Sequence, residues 1–283
     1  MKICVAGLGI IGGSLCLALK RAGYEVYGWN RSEAALSYAL KNGIIDGKVL
    51  NYSDYDVVFV ALPLEATLEF LDRSKFKDGA VVLDICGVKK IIEDKVYKTP
   101  RNYRYVGCHP MAGKEVSGIE NACADLFDRA SMVITHSDKT DSGALDTVRS
   151  LTEKMGFKYT VECSAATHDR KIAYTSQLAH IVSNAYVKDG EMADCIGFTG
   201  GSFQDMTRIA GVDENVWASL YLANAGNVSE KLENLIASLS EIKSAVDVND
   251  AERLKKILKC GRLLFSGGNK FAQQKDITVT KNK

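Results

Sequence analysis

The sequence has almost no excess of charge of either sign. Its 36 Lys and Arg residues are balanced by 35 Asp and Glu residues, which gives the 283-residue chain a formal net charge of +1 at pH 7. Such a balance provides no general attraction to nucleic acid or to acidic membrane surfaces. Recognition of an anion must therefore be local, and we expect the partners to be small molecules.

Membrane spans, targeting segments and paired cysteines are also lacking. No apolar run approaches the 18 or more residues of a membrane span, and Met1-Lys2 leads directly into the apolar run Ile3–Ala6. The eight cysteines include no C-x-x-C pair, and several lie in apolar strand patterns, where free thiols act as small hydrophobes. We therefore expect a cytoplasmic protein without a targeting segment or a metal site.

A glycine-rich turn follows this first apolar run. Gly7-Leu8-Gly9-Ile10-Ile11-Gly12 has the G-x-G-x-x-G spacing, and the strand before it and the apolar helical pattern after it are the context that dinucleotide binding requires. Gly7 permits the tight turn, Gly9 lets phosphates approach the backbone, and Gly12 lets the helix lie close to the strand. The segment predicts a site for a nicotinamide cofactor.

The end of the second predicted strand indicates which cofactor is preferred. Sites for NAD usually have an acidic residue here, about 20 residues after the glycine turn. This chain has Asn30, Arg31 and Ser32, so no carboxylate repels a 2′-phosphate, and Arg31 can pair with it while its neighbours donate hydrogen bonds. NADP is favoured over NAD, although Arg31 could instead be a solvated residue at the start of a helix.

Alternating strand and helix patterns define the fold class. They predict parallel βαβ units, and hence an α/β fold with a doubly wound sheet of Rossmann type. The predicted strands cover residues 3–6, 25–29, 56–62, 80–85, 105–108, 132–135 and 157–161. Strand signals end at about Glu162. We expect a cofactor domain over residues 1–162, an all-α domain over residues 163–265 and a flexible tail over residues 266–283.

The candidate proton acceptor is one of the four histidines. His109 follows the predicted strand 105–108 at a carboxyl end of the sheet, the side on which open α/β sheets bind ligands. A neutral imidazole, with a pKa of about 6.5, could accept the hydroxyl proton of an alcohol while hydride leaves its carbon. The alternative is a structural histidine at a strand-to-loop corner.

Other polar candidates lie in the predicted helical domain. Ser176, His180 and Asn184 are spaced four residues apart, which places them in one stripe of an otherwise apolar helix. Such a stripe needs either buried protein partners or a polar substrate. Arg208 follows a glycine-rich bend and could clamp a carboxylate, although a salt bridge with Asp205 is equally consistent.

Five segments in order resemble the prephenate and arogenate dehydrogenases, which make the precursor of tyrosine. The match runs through most of residues 1–265, and the segments are specific jointly rather than singly. They are residues 7–12, 84–89, 109–113 with Ser117-Gly118, His168-Asp169 with 176–180, and 203–210. The resemblance implies oxidative decarboxylation to 4-hydroxyphenylpyruvate or tyrosine: hydride passes from the hydroxyl-bearing ring carbon to NAD(P), and the opposite carbon loses carbon dioxide.

The resemblance also implies roles for single residues. His109 would be the catalytic base. His180 and Arg208 would hold the substrate carboxylate, and Glu115 would pair with that arginine. Further positions expected at the substrate are Gln177, Gly201 and Trp217, and further positions expected at the cofactor are Leu62, Cys86 and Gly87.

One departure from the family concerns the loop after the fourth long strand. Many members have Gly-Ser where this chain has Cys86-Gly87, so the serine hydroxyl that helps to position the histidine and the nicotinamide is absent. Water, a backbone group or the Cys86 thiol could take over its role, or the positioning could be looser. The choice between prephenate and arogenate stays open.

Relatives are dimers through their helical domain, so the resemblance implies a homodimer. The predicted helix 228–246 has an apolar face that could form either the domain core or a subunit seam. Two other functions stay open, a two-domain dehydrogenase of the β-hydroxyacid type and an NADP-sensing regulator without turnover. The first would need a lysine that residues 177–184 lack, and the second would not need the proton acceptor and the anion clamp.

Overall fold

The computed structural model describes residues 1–114, 116–268 and 277–282. Its strands are β1 (Ile3–Ala6), β2 (Val26–Trp29), β3 (Gly47–Lys48), β4 (Val57–Val60), β5 (Val81–Asp84), β6 (Arg104–Pro110), β7 (Ser131–Thr135), β8 (Tyr159–Cys163) and β9 (Ile277–Lys281). Its helices are α1 (Ile10–Arg21), α2 (Glu33–Lys41), α3 (Leu64–Arg73), α4 (Lys90–Val96), α5 (Ser142–Lys154), α6 (Ala165–Ile172), α7 (Leu178–Tyr186), α8 (Gly201–Thr207), α9 (Glu214–Ala223), α10 (Ala225–Asp247) and α11 (Ala251–Gly268).

The described strands form one sheet in the order β3-β2-β1-β4-β5-β6-β7-β8-β9. Neighbouring strands from β3 to β6 are parallel, as are β7 and β8, whereas the β6–β7 and β8–β9 pairs are antiparallel. The order 3-2-1-4-5-6 is that of the Rossmann fold and reverses between β1 and β4. Sheets of this kind bind dinucleotides at the carboxyl ends of the strands at that point, where β1 runs into residues 7–12.

The central strands are apolar along their whole length because helices cover both faces of the sheet. All residues of β1, β4 and β5 are buried. Successive side chains point to opposite faces, so Ile3 and Val5 pack into one hydrophobic cluster and Cys4 into the other. Helices α1, α2 and α5 contribute to the first cluster and α3 and α4 to the second, which gives three layers.

Helices α6–α11 lie between β8 and β9 in the chain. The Ser164 hydroxyl begins α6 by accepting a hydrogen bond from the Thr167 N–H at 3.2 Å. Helix α6 then continues through a π-helical segment, Ala173–Gln177, into α7 without leaving helical geometry. Segments of this type often occur at functional sites. This one places the chain between Gln177 and Asn184 against α8 and α9.

Two strands were not predicted, and one contradicts the expected flexible tail. Strand β3 has two residues, too few for a periodic pattern. Residues of β9 pair with Tyr159–Cys163 along the edge of β8, so this part of residues 266–283 is ordered and the prediction of a frayed tail is wrong there. The β-branched residues of β9 favour an extended strand, and pairing removes an exposed sheet edge.

The strand that carries His109 is longer than predicted. Strand β6 ends at Pro110 instead of Cys108, so His109 lies inside it and pairs with Val133 of β7. Among the described residues, no helix combines the length and apolar character needed to cross a bilayer.

Candidate active site

The glycine turn between β1 and α1 leaves open space at Gly9. Gly7 has φ of +99°, which favours glycine, and a Cβ there would lie 2.2 Å from the carbonyl oxygen of Ala61. A Cβ on Gly9 would meet no protein atom within 4 Å. Gly9 is also the N-cap of α1, whose first turn contains no acidic residue. The free amides and dipole of this helix end fit the pyrophosphate of a dinucleotide.

The three residues after β2 have different tasks. The Asn30 Oδ1 accepts a hydrogen bond from the Leu8 N–H at 3.0 Å, so this side chain braces the glycine turn. The Ser32 hydroxyl caps α2 by accepting from the Ala35 N–H at 3.3 Å. Arg31 is exposed and has no hydrogen bond or ion pair within the described part of the chain. Its guanidinium is therefore available to an anion.

The loop after β5 brings Gly87 close to His109. A Cβ on Gly87 would lie 3.9 Å from Cε1 of His109 and 3.6 Å from Cδ1 of Leu220. Cys86 is buried in the hydrophobic cluster on the α3–α4 face, and burial raises the pKa of its thiol to about 11. The thiol therefore stays neutral in apolar surroundings.

Leu62 lies at the carboxyl end of β4. Its Cδ2 atom would be 2.9 Å from a Cβ on Gly7, so the side chain packs against the glycine turn. The predicted cofactor residues thus come together along the carboxyl ends of β1, β2, β4 and β5.

His109 is held by a chain of hydrogen bonds from α6. Its Nδ1 lies 2.9 Å from Nε2 of His168, and Nδ1 of His168 lies 2.7 Å from Oδ1 of Asp169. The Asp169 carboxylate also accepts hydrogen bonds from the backbone N–H groups of Lys89, at 2.8 Å, and Lys90, at 2.9 Å. The candidate base is therefore tied to the amino end of α4 through two side chains of the helical domain.

His109 and His168 are both uncharged at neutral pH. Burial lowers the pKa of His109 well below its usual value of about 6.5, and a positive charge on His168, when that ring is protonated, and on Lys89 lowers it further. Burial also lowers the pKa of His168, although the Asp169 carboxylate opposes this change. A neutral imidazole at position 109 can accept a proton.

A buried ion pair supports the loop beneath His109. The side chains of Lys89 and Asp84 are fully buried and form a salt bridge. The Lys89 ammonium also donates to the carbonyl oxygen of Cys108 at 2.6 Å, and the Tyr105 hydroxyl donates to Asp84 Oδ2 at 2.6 Å. These contacts join the carboxyl ends of β5 and β6, which fixes the backbone on both sides of the candidate base.

His180 and Asn184 bind the segment that follows α8. His180 Nδ1 lies 3.0 Å from the carbonyl oxygen of Ile209, and Asn184 Nδ2 donates to that of Ala210 at 3.2 Å. The polar stripe of α7 thus has protein partners. Because a carbonyl oxygen only accepts, His180 Nδ1 carries a hydrogen, and Nε2 can donate to a carboxylate only when the ring is protonated. The ring packs against Trp217 with centroids 3.9 Å apart and ring planes tilted by 43°.

Gln177 does not present a free polar group. It is 2% exposed, its Nε2 donates to the carbonyl oxygen of Leu220 at 3.0 Å, and its Oε1 accepts from Nδ2 of Asn224 at 2.7 Å. Both ends of the amide are therefore used to join α9 to the helix that contains His180. This arrangement disagrees with the predicted contact to the substrate, because the buried amide is already satisfied.

Arg208 lies next to the residue that His180 binds. It is exposed at the end of α8, immediately before Ile209, so the backbone at position 208 lies near His180. Gly201 begins α8 and has open space where a Cβ would lie. Glu115 lies outside the described residues, so its pairing with Arg208 stays a prediction.

Comparison with known proteins decides the family. One family model, "Prephenate dehydrogenase, nucleotide-binding domain", matches residues 15–161, and a second, "Prephenate dehydrogenase, dimerization domain", matches residues 164–260. The chain belongs to the prephenate dehydrogenase family. The prephenate dehydrogenases of Bacillus subtilis and Lactococcus lactis are each 30% identical to it, over 92% of this chain and 74% and 75% of theirs.

Solved structures of the prephenate dehydrogenase family have the same fold. The prephenate dehydrogenase of Aquifex aeolicus, in complex with hydroxyphenyl propionate and NAD⁺, superposes with a TM-score of 0.83 at 28% identity. The superposition covers 95% of this chain and 98% of that one. The family, the Rossmann-type sheet with a helical region and the reaction class, oxidative decarboxylation in tyrosine biosynthesis, are therefore confirmed.

Four residues of this prephenate dehydrogenase site had no predicted role. His168, Asp169, Lys89 and Asp84 lie within segments that carried the resemblance, which was the signal that could have identified them. Their roles depend on contacts that sequence spacing does not reveal. His168 and His109, for example, are 59 residues apart in the chain.

Proposed function

We propose that the chain converts prephenate to 4-hydroxyphenylpyruvate, with NADP as the preferred hydride acceptor and His109 as the base. The observation that carries this proposal is the position of a neutral His109 ring beside Gly87, at the carboxyl ends of β5 and β6. This is the edge of the sheet where the glycine turn also lies. Family membership supports the reaction, and the names of the two 30% identical relatives support prephenate over arogenate.

His109 and the anion-binding residues divide the chemistry between them. The bound nicotinamide would supply the hydride acceptor. Nε2 of His109 accepts the hydroxyl proton as the ring hydroxyl becomes a carbonyl, and it returns that proton to the phenolate formed when carbon dioxide leaves. Arg208 and His180 bind a substrate carboxylate, with charge-assisted hydrogen bonds from the guanidinium of Arg208. Aromaticity of the product makes the reaction irreversible.

The preference for NADP depends on Arg31. Its guanidinium is exposed, and the next acidic residue along the chain, Glu33, is paired with Lys48 at 2.8 Å. A 2′-phosphate would therefore meet an available cation and no unpaired carboxylate at this site. NAD is the alternative, because the Aquifex aeolicus structure contains NAD⁺.

A homodimer through the helical region is part of the proposal. The second matching family model is described as a dimerization domain. Large apolar side chains are exposed on α9–α11 of the single chain, among them Leu222, Ile236, Leu239, Leu258 and Phe265. Apolar surface of this extent is typical of a subunit interface. Light scattering at micromolar concentration is expected to give the mass of two chains, and a monomer would contradict the dimer.

The experiment that tests the function is a comparison of two substrates with two cofactors. Prephenate or arogenate is mixed with NADP or NAD, and kcat/KM is measured from the absorbance of the reduced cofactor. We expect the highest value with prephenate and NADP. No turnover with any pair would overturn the proposed reaction, and a higher kcat/KM with NAD would overturn the cofactor preference.

A matched pair of variants tests the role of Arg31. Arg31→Ala is expected to lower kcat/KM with NADP by about 10- to 100-fold, the loss of a charged hydrogen bond, and to leave that with NAD unchanged. Arg73→Ala is the control, because Arg73 is 78% exposed and pairs only with Glu69 on its own helix among the described residues. Equal losses with both cofactors would contradict the role of Arg31.

A further inference from the structure

We propose that His168 and Asp169 are a positioning pair, which keeps the hydrogen of the His109 ring on Nδ1 and leaves Nε2 free to accept a proton. The inference rests on the proposed function of His109 as a base. It assigns to α6 the task of orienting a side chain that belongs to the sheet.

Both carboxylate oxygens of Asp169 are used as acceptors. Oδ1 accepts the N–H of Lys89, and Oδ2 accepts the N–H of Lys90. Backbone N–H groups can only donate, so the carboxylate cannot rearrange. Oδ1 also contacts Nδ1 of His168 at 2.7 Å. An ionised carboxylate accepts only, so Nδ1 of His168 must carry the hydrogen of this bond.

The direction of the next hydrogen bond follows from this. His168 is 2% exposed and uncharged, so a ring with a hydrogen on Nδ1 has none on Nε2. Nε2 of His168 lies 2.9 Å from Nδ1 of His109 and must accept there. The hydrogen therefore belongs to Nδ1 of His109, and the Nε2 atom of the same ring keeps its lone pair.

No other described side chain can set this tautomer. Lys89, which also faces the ring, already donates to Asp84 and to the carbonyl oxygen of Cys108. Gly87, close to Cε1, has no side chain, and Leu220 packs above Gly87 with apolar atoms. Within the described residues, the side-chain hydrogen bond to the His109 ring comes from His168.

The positioning pair is itself held in place by the helical domain. Asn224, which is 5% exposed, donates from Nδ2 to the carbonyl oxygen of Asp169 at 2.8 Å and to Oε1 of Gln177 at 2.7 Å. This contact ties α6 to the junction of α9 and α10. The orientation of the base is therefore determined by contacts that cross from the sheet to the helices.

Imidazole NMR tests the inference without any turnover. The chain has four histidines, so ¹⁵N-histidine labelling and long-range ¹H–¹⁵N correlation give one pattern for each ring, assigned with single His→Gln variants. At pH 7.5 we expect His109 and His168 both to carry hydrogen on Nδ1 only. A hydrogen on Nε2 of His109 in the unaltered protein would overturn the proposal, whether or not prephenate is the substrate.

Asp169→Ala supplies the kinetic test. Without an acceptor opposite its Nδ1, His168 can carry its hydrogen on Nε2 and donate it to Nδ1 of His109. His109 would then carry hydrogen on Nε2. We expect kcat to fall by about 10²- to 10⁴-fold, with KM for prephenate and NADP within about threefold.

The control and a second variant complete the design. His136→Gln changes a half-exposed histidine that lies 3.8 Å from Glu162, and it is expected to leave kcat and the other three ring patterns unchanged. If Asp169→Ala does not fold, His168→Asn removes the contact to His109 instead and is expected to give a mixture of His109 tautomers. A folded variant at position 168 or 169 with the original kcat and the original His109 pattern would overturn the inference.

Discussion

A Cβ atom on Gly12 would lie 1.8 Å from the carbonyl oxygen of Gly7. Helix α1 therefore packs against the turn that precedes it so closely that only glycine fits at position 12. At Gly9 the surrounding protein leaves open space, so the two glycines of the same turn have separate tasks. Gly12 serves the fold, and Gly9 serves the approach of a ligand.

Alanine substitutions separate these two tasks. We expect Gly9→Ala to leave the thermal unfolding midpoint unchanged and to raise the Kd for NADP by about tenfold or more, because the new methyl group occupies ligand space. Gly12→Ala is expected to destabilise the fold by about 1 to 3 kcal/mol or more through overpacking. Thermal unfolding and calorimetric titration with NADP measure both effects. Unchanged NADP binding by Gly9→Ala would contradict the site.

Arg208→Ala tests the anchor for the substrate carboxylate. Loss of a charged hydrogen-bonding partner is expected to raise KM for prephenate by about 30- to 1,000-fold, which corresponds to about 2 to 4 kcal/mol. The Kd for NADP is expected to stay the same, because Arg208 lies in the helical domain beyond α8. Arg73→Ala again serves as the control. An unchanged KM would mean that other groups bind the carboxylate.

The pH dependence of turnover follows from the lowered pKa of His109. Burial is the main cause, and it keeps the ring neutral down to a pH well below the usual histidine pKa of about 6.5. Activity is lost only when the base is protonated, so kcat is expected to stay level from pH 7.5 through 6.5 and to decline at lower pH. An imidazole with its usual pKa would instead give a decline through about pH 6.5. Stopped assays of kcat across this pH range test the prediction. An inflection of the kcat profile at pH 6.5 or above would contradict a buried, neutral His109 ring.

Folding stability is expected to decrease on acidification for the same reason. The pKa values of His109 and His168 are lowered in the folded state and return to about 6.5 on unfolding, so below that pH the unfolded chain binds protons that the folded chain does not. Each histidine then contributes a decrease of up to about 1.4 kcal/mol per pH unit. Urea unfolding from pH 8 to 5 measures the slope. His109→Gln is expected to give a shallower slope, and an identical one would contradict a buried, neutral His109.

Prediction of the fold from sequence worked where the pattern is local. The seven predicted strands correspond to β1, β2 and β4 to β8, with ends that shift by at most two residues. The extension of β6 to Pro110 depends on pairing with β7, which is a tertiary contact. Strand β9 could not be predicted, because its short alternation of β-branched residues becomes a strand only against β8, more than 100 positions earlier in the chain.

The residues of the candidate site also divide into those that local spacing predicts and those that depend on tertiary contacts. The glycine turn could be predicted because it occupies a continuous segment whose spacing is the signal. Gln177 and Asn30 show the limit of that approach, since both were expected at ligands and both make satisfied contacts with protein groups. Spacing shows which polar residues share a face, but it does not show which groups oppose them.

The sequence by itself determined the Rossmann turn, the order of strands and helices and the family, because backbone conformation and hydrophobic period are properties of neighbouring residues. Tertiary structure alone decided that Asp169 fixes the hydrogen of His168 and that His168 fixes that of His109. A tautomer depends on which donor or acceptor stands opposite each ring nitrogen. Those partners come from α4, α6 and β6, and only the packing of helices against the sheet brings them within hydrogen-bonding distance.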